Sequence, residues 1–301
     1  MSQLSVSKPP NLAWQSKAVL LLVVPYAGAG LVLQMHWWGT QAPQAAIWTL
    51  GLSLLLALIV LKLHAATLGG AATGSLITAS LMFSTLTFPY QPWQTALPPV
   101  LAVSLLAWSA TKLGRKKKER LGTAESRRGR SAAQIAANLG MAAIACSEVV
   151  QNWLTDTPWI AHGSIAFPGF ALGLAALAEA AADTVSSEIG QVLGGRPRMI
   201  TTLHLAEPGT DGAITLAGTF AGIAAALFVA GIGTWSLRGD FVLFWVSAAG
   251  GVFGLLFDSL LGATLERRGW LNNDAVNFLS TGSAAGFALG LLAIVLRLRV
   301  R

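Results

Sequence analysis

The sequence predicts an all-α fold, a polytopic bundle of about nine transmembrane helices. Hydrophobic residues make up 54% of the 301 residues and charged residues only 11%, whereas about a quarter of a soluble domain is charged. Apolar stretches near the ~20 residues that cross a bilayer recur along the chain. They cover residues 17–35, 44–62, 66–88, 95–111, 131–150, 164–190, 212–235, 241–265 and 275–296. We therefore expect an integral membrane protein of the cell inner membrane, with roughly eight to ten spans.

The stretches differ in polarity along the chain. The first four are almost purely apolar and predict scaffold helices; the first resembles a signal peptide, but the spans that follow favour a transmembrane helix. The fifth contains Asn138 and Glu148, so we expect a short or broken helix that lines a cavity. The sixth carries several acids, and the last three begin after polar turns. Glycines four residues apart predict close helix packing: Gly169, Gly173, Gly218, Gly222, Gly250, Gly254, Gly282, Gly286 and Gly290.

One loop, residues 112–130, accounts for the positive charge of the chain. It contains nine basic and two acidic residues, which matches the net charge of +7 of the whole sequence. Basic loops favour the cytoplasm, where this one also attracts anionic lipid headgroups. Nucleic acid is excluded as a partner because no aromatic residue is interleaved with these charges. The chain then divides into a cytoplasmic tail (1–16) and a single membrane domain (17–301), made of scaffold helices (17–111), the basic loop (112–130) and a polar half (131–301).

Alternation of the spans places three polar segments on one side of the membrane. These segments are 112–138, 179–215 and 258–277, and the basic loop assigns them to the cytoplasm. The arginines near the C-terminus, Arg297, Arg299 and Arg301, fall on the opposite side if nine spans are correct. Nucleoside triphosphates are found in the cytoplasm, so we expect a polar cavity on that face.

The sixth apolar stretch contains the acids Glu179, Asp183 and Glu188. A carboxylate within a membrane is costly unless it faces water, a cation or a partner. Glu179 and Asp183 are one helical turn apart and Ser187 follows one turn later, so their oxygens share a helix face. Oxygen ligands suit Mg²⁺, so the pattern predicts a magnesium site. The alternative is a packing motif with charges that reach the membrane edge.

The segment after these acids predicts phosphate binding. Gly190 provides backbone that an anion can approach closely, and Arg196 and Arg198 provide guanidinium groups that bind phosphate bidentately. Lys112 and Arg115 of the basic loop are further phosphate candidates because the loop lies on the same side. The segment as a whole is expected to bind substrate phosphates.

A further acid, Asp258, lies near the end of the eighth apolar stretch. We assign Asp183 and Asp258 to Mg²⁺, and the candidate catalytic residues are Asp183, Asp258, Glu188 and Glu179. The next turn and helix start add substrate-binding candidates, Asn273, Asp274 and Asn277, although helix capping explains part of this signal. The chain contains no Walker A, dinucleotide-binding, zinc-protease or nucleophile-elbow motif, which disfavours soluble-type nucleotide folds and serine hydrolases.

Five polar motifs together resemble the integral-membrane family known as domain of unknown function ninety-two. They occupy residues 182–190, 195–202, 209–212, 257–262 and 273–277, and the resemblance runs from about residue 50 to the C-terminus. The family includes a plant phytyl-phosphate kinase and the animal transmembrane protein nineteen. Residues 183–196 are also distantly similar to polyprenol kinases and CDP-lipid synthases, which use CTP with Mg²⁺.

The resemblance implies a kinase that transfers phosphate from CTP or another nucleoside triphosphate to an isoprenyl monophosphate. The implied partners are membrane lipid, the nucleotide and a phytyl- or geranylgeranyl-like monophosphate, with a homo-oligomer left open. A different class, an ion-coupled transporter or lipid carrier, is the alternative because membrane acids also couple substrates to ions. The clustering of glycines and arginines at the cytoplasmic helix ends favours the kinase.

Overall fold

A computed structural model of the protein describes residues 12–157 and 168–299. The tail up to residue 11, part of the turn predicted at 151–163, the first residues of the sixth predicted span and Arg301 lie outside the described residues. Within them the chain forms eleven α-helices. These are α1 (Ala13–Gln41), α2 (Pro43–Lys62), α3 (Leu68–Ser84), α4 (Leu97–Lys112), α5 (Arg115–Leu121), α6 (Ala132–Cys146), α7 (Glu148–Thr155), α8 (Gly169–Leu193), α9 (Leu216–Ser236), α10 (Phe241–Leu261) and α11 (Asn273–Arg299).

Capping residues determine where several helices begin. Thr67, Thr215 and Asp240 accept hydrogen bonds from backbone N–H groups in the first turns of α3, α9 and α10. Ser131 and Gln134 form a reciprocal capping box at the start of α6. Such caps satisfy N–H groups that have no partner inside the helix. The polar residues between apolar stretches therefore position the helix ends.

The helices confirm a polytopic helical membrane protein. Six are long and apolar enough to cross a membrane, or up to eight if each of two bent pairs forms one span. The pairs are α4 with α5, bent by 65°, and α6 with α7, bent by 46°. The second bend confirms the broken helix predicted at 131–150. Each of the nine predicted stretches overlaps at least one helix, but α3 has only 17 residues, so the count of nine stays a prediction.

Helix α8 lies at the centre of the bundle. It packs against α4, α6, α9, α10 and α11. In its most apolar stretch of 18 residues 89% are buried, compared with 22% in that of α1. Glycines allow this close packing, because a Cβ on Gly222 would lie 2.8 Å from the Ala182 carbonyl oxygen and one on Gly251 2.7 Å from the Ala178 Cβ. The predicted packing role is confirmed for Gly218, Gly222, Gly250 and Gly254. It is wrong for Gly286 and Gly290, which face open space.

The polar segments meet at one end of the bundle, which we call the polar end. Here α2, α4, α8 and α10 end, and α3, α6, α9 and α11 begin. Lys117 Nζ donates to the Val192 carbonyl at 2.7 Å, and Thr123 Oγ1 donates to Gln191 Oε1 at 2.6 Å. The predicted convergence of the three segments is therefore observed, whereas the cytoplasmic location of this end stays a prediction. Helix α11 begins at the polar end, so Arg297 lies at the opposite one, as the nine-span scheme expects.

The only regular strands in the described residues form a small hairpin at the polar end. Strand β1 (Arg198–Met199) pairs antiparallel with β2 (Ala213–Ile214). The connecting loop packs on the π-helical turn that follows α10 (Gly262–Glu266), because a Cβ on Gly212 would lie 2.2 Å from the Ala263 backbone nitrogen. Gly212 also has a φ of +73°, so glycine is required there twice over. The hairpin fixes one wall of the site described next.

Candidate functional site

A polar cavity of about 320 Å³ opens at the polar end, between α6, α8, α10, α11 and the hairpin loop. Seven of the predicted site residues line it: Asp183, Ser187, Glu188, Gly190, Asp258, Asn273 and Asn277. They come from three helices and a stretch of sequence almost a hundred residues long. Close packing of α8, α10 and α11 against one another brings them together.

Asp183 on α8 and Asp258 on α10 lie close enough to interact electrostatically. The Oδ2 atom of Asp258 is buried and has no hydrogen-bond partner among the described residues. Asn277 and Ser259 provide further oxygen atoms in the same lining. Since an unsatisfied buried oxygen is costly, this pair could hold a group that binds from outside the protein.

The residues present fit Mg²⁺ better than a metal held by protein alone. Among the described residues, no group of three or more His, Cys, Asp or Glu side chains is close enough to hold a metal. Mg²⁺ usually binds one or two carboxylates and completes its shell with water and substrate phosphates. Asp183 and Asp258 supply that number, and a nucleotide would supply the phosphates.

Arg130 is the one Lys or Arg side chain of the described residues that lines the polar cavity. Its Nη2 atom donates to Thr184 Oγ1 at 3.3 Å, and its charge acts on Asp183. The backbone is fixed on both sides, because Arg130 N donates to the Ala65 carbonyl and its own carbonyl accepts from Thr67 N, both at 3.0 Å. Sequence reasoning counted Arg130 in the basic loop but did not select it. Its position directly before the Ser131 helix cap was the available signal.

Three acids in the lining were also missed: Glu125, Asp211 and Glu266. With Asp183, Glu188 and Asp258 they give six carboxyl groups against one guanidinium. Burial raises the pKa of Asp211 above its usual range, and Arg267 partly opposes that shift. The cavity is therefore strongly acidic, and phosphate groups can enter it only together with cations.

Glu188 already has a partner. Its Oε2 accepts from Lys118 Nζ at 2.5 Å and its Oε1 from Thr111 Oγ1 at 3.0 Å. Lys118 is only 1% exposed and also donates to the carbonyls of Ala110 and Thr111. Although Glu188 lines the cavity, this buried ion pair joins the basic loop to α8.

Glu179 lies deeper in α8 and does not line the cavity. Its side chain is fully buried, and neither carboxyl oxygen has a hydrogen-bond partner among the described residues. It lies near Asp183 and Ser280, and a Cβ on Gly254 would lie 2.5 Å from the Glu179 Cγ. The acid therefore occupies space that a glycine on α10 leaves open.

The predicted phosphate-binding cations lie around the site rather than in it. Arg196 is exposed between Gly195 and Pro197, which both line the cavity. Arg198 is exposed and donates to the Leu203 carbonyl at 2.8 Å. Asp274 is absent from the lining. Lys112 and Arg115 line a second cavity, and Arg115 Nε donates to Glu119 Oε1 at 3.1 Å.

Gly190 has a packing role beside its place in the lining. A Cβ there would lie 2.8 Å from Thr215 Oγ1, the atom that caps α9. The same threonine approaches Gly194, where a Cβ would lie 2.3 Å from its Oγ1. Both glycines let the end of α8 contact the start of α9.

Comparison with known proteins gives a family and several relatives. The family model described as integral membrane protein DUF92 matches residues 51–285. An uncharacterised membrane protein of Methanocaldococcus jannaschii is 46% identical over 108 residues, which is 36% of this chain and 45% of that protein. Another from Synechocystis is 32% identical over 203 residues, covering 64% and 72% of the two chains.

A plant protein is also similar. The chloroplastic protein VTE6 of Arabidopsis thaliana is 31% identical over 186 residues, 60% of this chain and 54% of VTE6. The match thus spans about half the length of VTE6 and of the M. jannaschii protein. No solved structure matches the chain. Because the family model matches well over half of its residues, the chain belongs to the integral membrane protein family DUF92.

Proposed function

We propose that this protein is a membrane-embedded prenyl-phosphate kinase. It transfers a phosphoryl group from CTP or another nucleoside triphosphate to an isoprenyl monophosphate, with Mg²⁺ as cofactor. The observation that carries the proposal is the acidic cavity in which Asp183 and the partly unsatisfied Asp258 lie opposite the charge of Arg130. Membership of the DUF92 family supports the same activity, because that family includes a plant phytyl-phosphate kinase.

The cavity chemistry suits phosphoryl transfer, which requires mainly positioning and neutralisation of charge. Asp183 and Asp258 would hold Mg²⁺, which when bound neutralises phosphate oxygens. Arg130 would bind phosphate oxygens at the point where the nucleotide and the acceptor monophosphate meet. An oxygen of the acceptor monophosphate forms the new P–O bond, and the bond to the terminal phosphate of the nucleotide breaks, which releases the nucleoside diphosphate. The acceptor oxygen is already anionic, so no general base is needed.

Arg196 and Arg198 keep their predicted role at the rim of the cavity. Arg196 lies between two lining residues and is exposed, so a nucleotide that enters would pass it. A rim contact to phosphate contributes less than a buried one because water and salt screen it. We therefore propose Arg130 as the main phosphate ligand and the two hairpin arginines as secondary ones.

The direct test is an assay of the purified full-length protein in detergent. Radiolabelled CTP, ATP, GTP and UTP are each combined with phytyl, geranylgeranyl and farnesyl monophosphate in the presence of Mg²⁺. We expect an isoprenyl diphosphate from at least one pair. Absence of diphosphate from every pair, with protein that is shown to be folded, would reject the kinase proposal.

A matched pair of arginines tests the site. Arg130→Gln is expected to lower kcat/KM about 10- to 100-fold, because a charge-assisted contact to phosphate contributes ~1.5–3 kcal/mol. Arg128→Gln is the control, since Arg128 belongs to the same loop but is exposed and absent from the lining. Equal activity of the two variants would remove Arg130 from the site.

Glu179 favours the second candidate, an ion-coupled transporter or lipid carrier. A fully buried acid without a partner in the middle of a central helix is typical of ion pathways. Proteoliposomes loaded with a pH-sensitive dye distinguish the two functions. Proton flux that is lost in Glu179→Gln, together with no diphosphate product, would favour the transporter.

A further inference from the structure

The second cavity is apolar and lies between α2, α3, α4 and α6. Small residues create its space, among them Ala57, Ala71, Gly74 and Ala107. Gly74 leaves a gap against α6, because a Cβ there would still be 3.7 Å from Ile135 Cγ2. The cavity measures about 100 Å³.

The apolar cavity extends along α4 rather than across the bundle. Its lining on α4 begins at Val100 and continues to Thr111, which is about 16 Å of helix. One leaflet is half of a hydrocarbon core of ~30 Å. The cavity therefore has the length of a lipid chain that reaches from the polar end to the middle of the membrane.

The mouth of this cavity is basic and adjoins the polar cavity. Lys112, Arg115 and Arg130 line it at the polar end, while Glu125, Arg130 and Asn138 line both cavities. The indole Nε1 of Trp108, in the lining, is buried without a hydrogen-bond partner among the described residues. An apolar slot with several cations at its polar end is complementary to a lipid that has an anionic headgroup.

We infer that the apolar cavity binds the hydrocarbon chain of a single-chain lipid monophosphate and that its phosphate lies at Arg130, where the two cavities meet. The inference rests on the proposed function for the role of that lipid as phosphate acceptor. The narrow slot has no room for two chains, and the shared arginine brings the phosphate of the lipid to the edge of the acidic cavity. Lys112 and Arg115, which lie outside the polar cavity, thereby gain a role as headgroup ligands on the acceptor side.

A photoreactive probe tests the inference without any turnover. The full-length protein in detergent is irradiated with farnesyl monophosphate that carries a diazirine on its last isoprene unit, and labelled peptides are identified by mass spectrometry. We expect label on α3 and α4 beside the cavity. Farnesyl monophosphate should compete, farnesol should compete more weakly, and inorganic phosphate should not.

Two pairs of variants test the slot itself. Ser104 and Ser75 line the cavity from α4 and α3, whereas Ser109 and Ala72 are exposed on the same helices and do not line it. Ser104→Phe and Ser75→Phe are expected to weaken probe binding about tenfold, because a ring would fill the slot. Ser109→Phe and Ala72→Phe should bind as the wild type does. Melting curves show which variants are folded, and either pair alone decides the question.

The outcomes separate this inference from the proposed function. Label in the cavity without any diphosphate product would support the inference and reject the kinase. Diphosphate product with an unchanged acceptor KM in both cavity-filling variants would support the kinase and overturn the inference. Competition by inorganic phosphate equal to that of farnesyl monophosphate would overturn it as well, since the chain would then contribute nothing. Phosphatidic acid as the stronger competitor would replace the single-chain ligand with a diacyl lipid and also overturn it.

Discussion

Two stretches of the central helix α8 carry buried glutamates in contrasting surroundings. Glu188, near the polar end, is 8% exposed and both of its carboxyl oxygens are used, by Lys118 and Thr111. Glu179 lies about 14 Å deeper along the helix, is fully buried, and has no hydrogen-bond partner among the described residues. The same side chain on the same helix is therefore a structural group in one place and an acid without a hydrogen-bond partner in the other.

The difference shows how to separate structural acids from functional ones in this protein. An ion pair that satisfies both partners explains why the chain keeps Glu188. The two carboxyl oxygens of Glu179 and the Oδ2 atom of Asp258, by contrast, have no hydrogen-bond partner among the described residues. Because such groups are costly in a membrane, they are the stronger candidates for contact with a cation or a proton.

The largest expected effect is loss of turnover when either aspartate of the polar cavity is replaced. Asp183→Asn and Asp258→Asn, each alone, should lower kcat at least about 100-fold, since each removes a proposed metal ligand. The same variants should melt no lower than the wild type in the absence of Mg²⁺ and nucleotide. Assays with CTP and geranylgeranyl monophosphate, with parallel melting curves in detergent, provide both measurements. Destabilisation with retained activity would place these aspartates with Glu188.

The next effect concerns Glu188, whose carboxyl oxygens both have partners, and it is a loss of stability. Glu188→Gln should lower the free energy of unfolding by about 3–5 kcal/mol, because Lys118 is then buried without a counter-charge. Adding Lys118→Met should restore most of that loss. Thermal unfolding of the single and double variants in detergent tests this prediction. A single variant as stable as the wild type would mean that the pair does not join the basic loop to α8.

Sequence reasoning located the helices and the acids but not their partners. Hydropathy and caps determine where helices such as α6 begin, and those signals are local. Which arginine reaches the cavity is decided by distant backbone contacts, because Arg130 is fixed by hydrogen bonds to Ala65 and Thr67. In the sequence, Arg130 and Arg196 look alike. The proposed kinase activity came from the family resemblance, because no spacing of residues predicts it.

The Lys118–Glu188 pair shows the same limit. The two residues are 70 positions apart, and nothing in the run of basic residues distinguishes Lys118 from its neighbours. Only the packing of α5 against the end of α8 selects it. The sequence could therefore predict that acids in α8 need partners, but not which acid has one.

A smaller effect is expected at Glu179. Glu179→Gln should raise the free energy of unfolding by ~1–2 kcal/mol, because it removes a buried acid that lies close to the acids Asp183 and Asp258. Glu148→Gln is the control, since Glu148 is an exposed acid at the start of α7. Melting curves in detergent without added cations compare the two variants. A clear loss of stability in Glu179→Gln would show that this acid, like Glu188, has a stabilising role, and the contrast within α8 would fail.

Asp211 is intermediate between Glu188 and Glu179, and its replacement has the smallest expected effect. It is an exposed residue of the hairpin loop, where partial burial of the carboxyl group raises its pKa and the charge of Arg267 opposes the rise. The folded protein thus binds this proton more tightly than the unfolded chain, so stability falls as pH rises from the ordinary aspartate pKa to the raised value. Asp211→Asn should remove that dependence. The gain at neutral pH should stay below about 1 kcal/mol, because water screens a half-exposed group. Melting temperatures between about pH 4 and pH 7 test this.

Asp156→Asn, at an exposed position, is the control and should keep the wild-type pH profile. If Asp211→Asn also keeps the wild-type profile, then Arg267 compensates the charge of Asp211 fully, as Lys118 compensates that of Glu188.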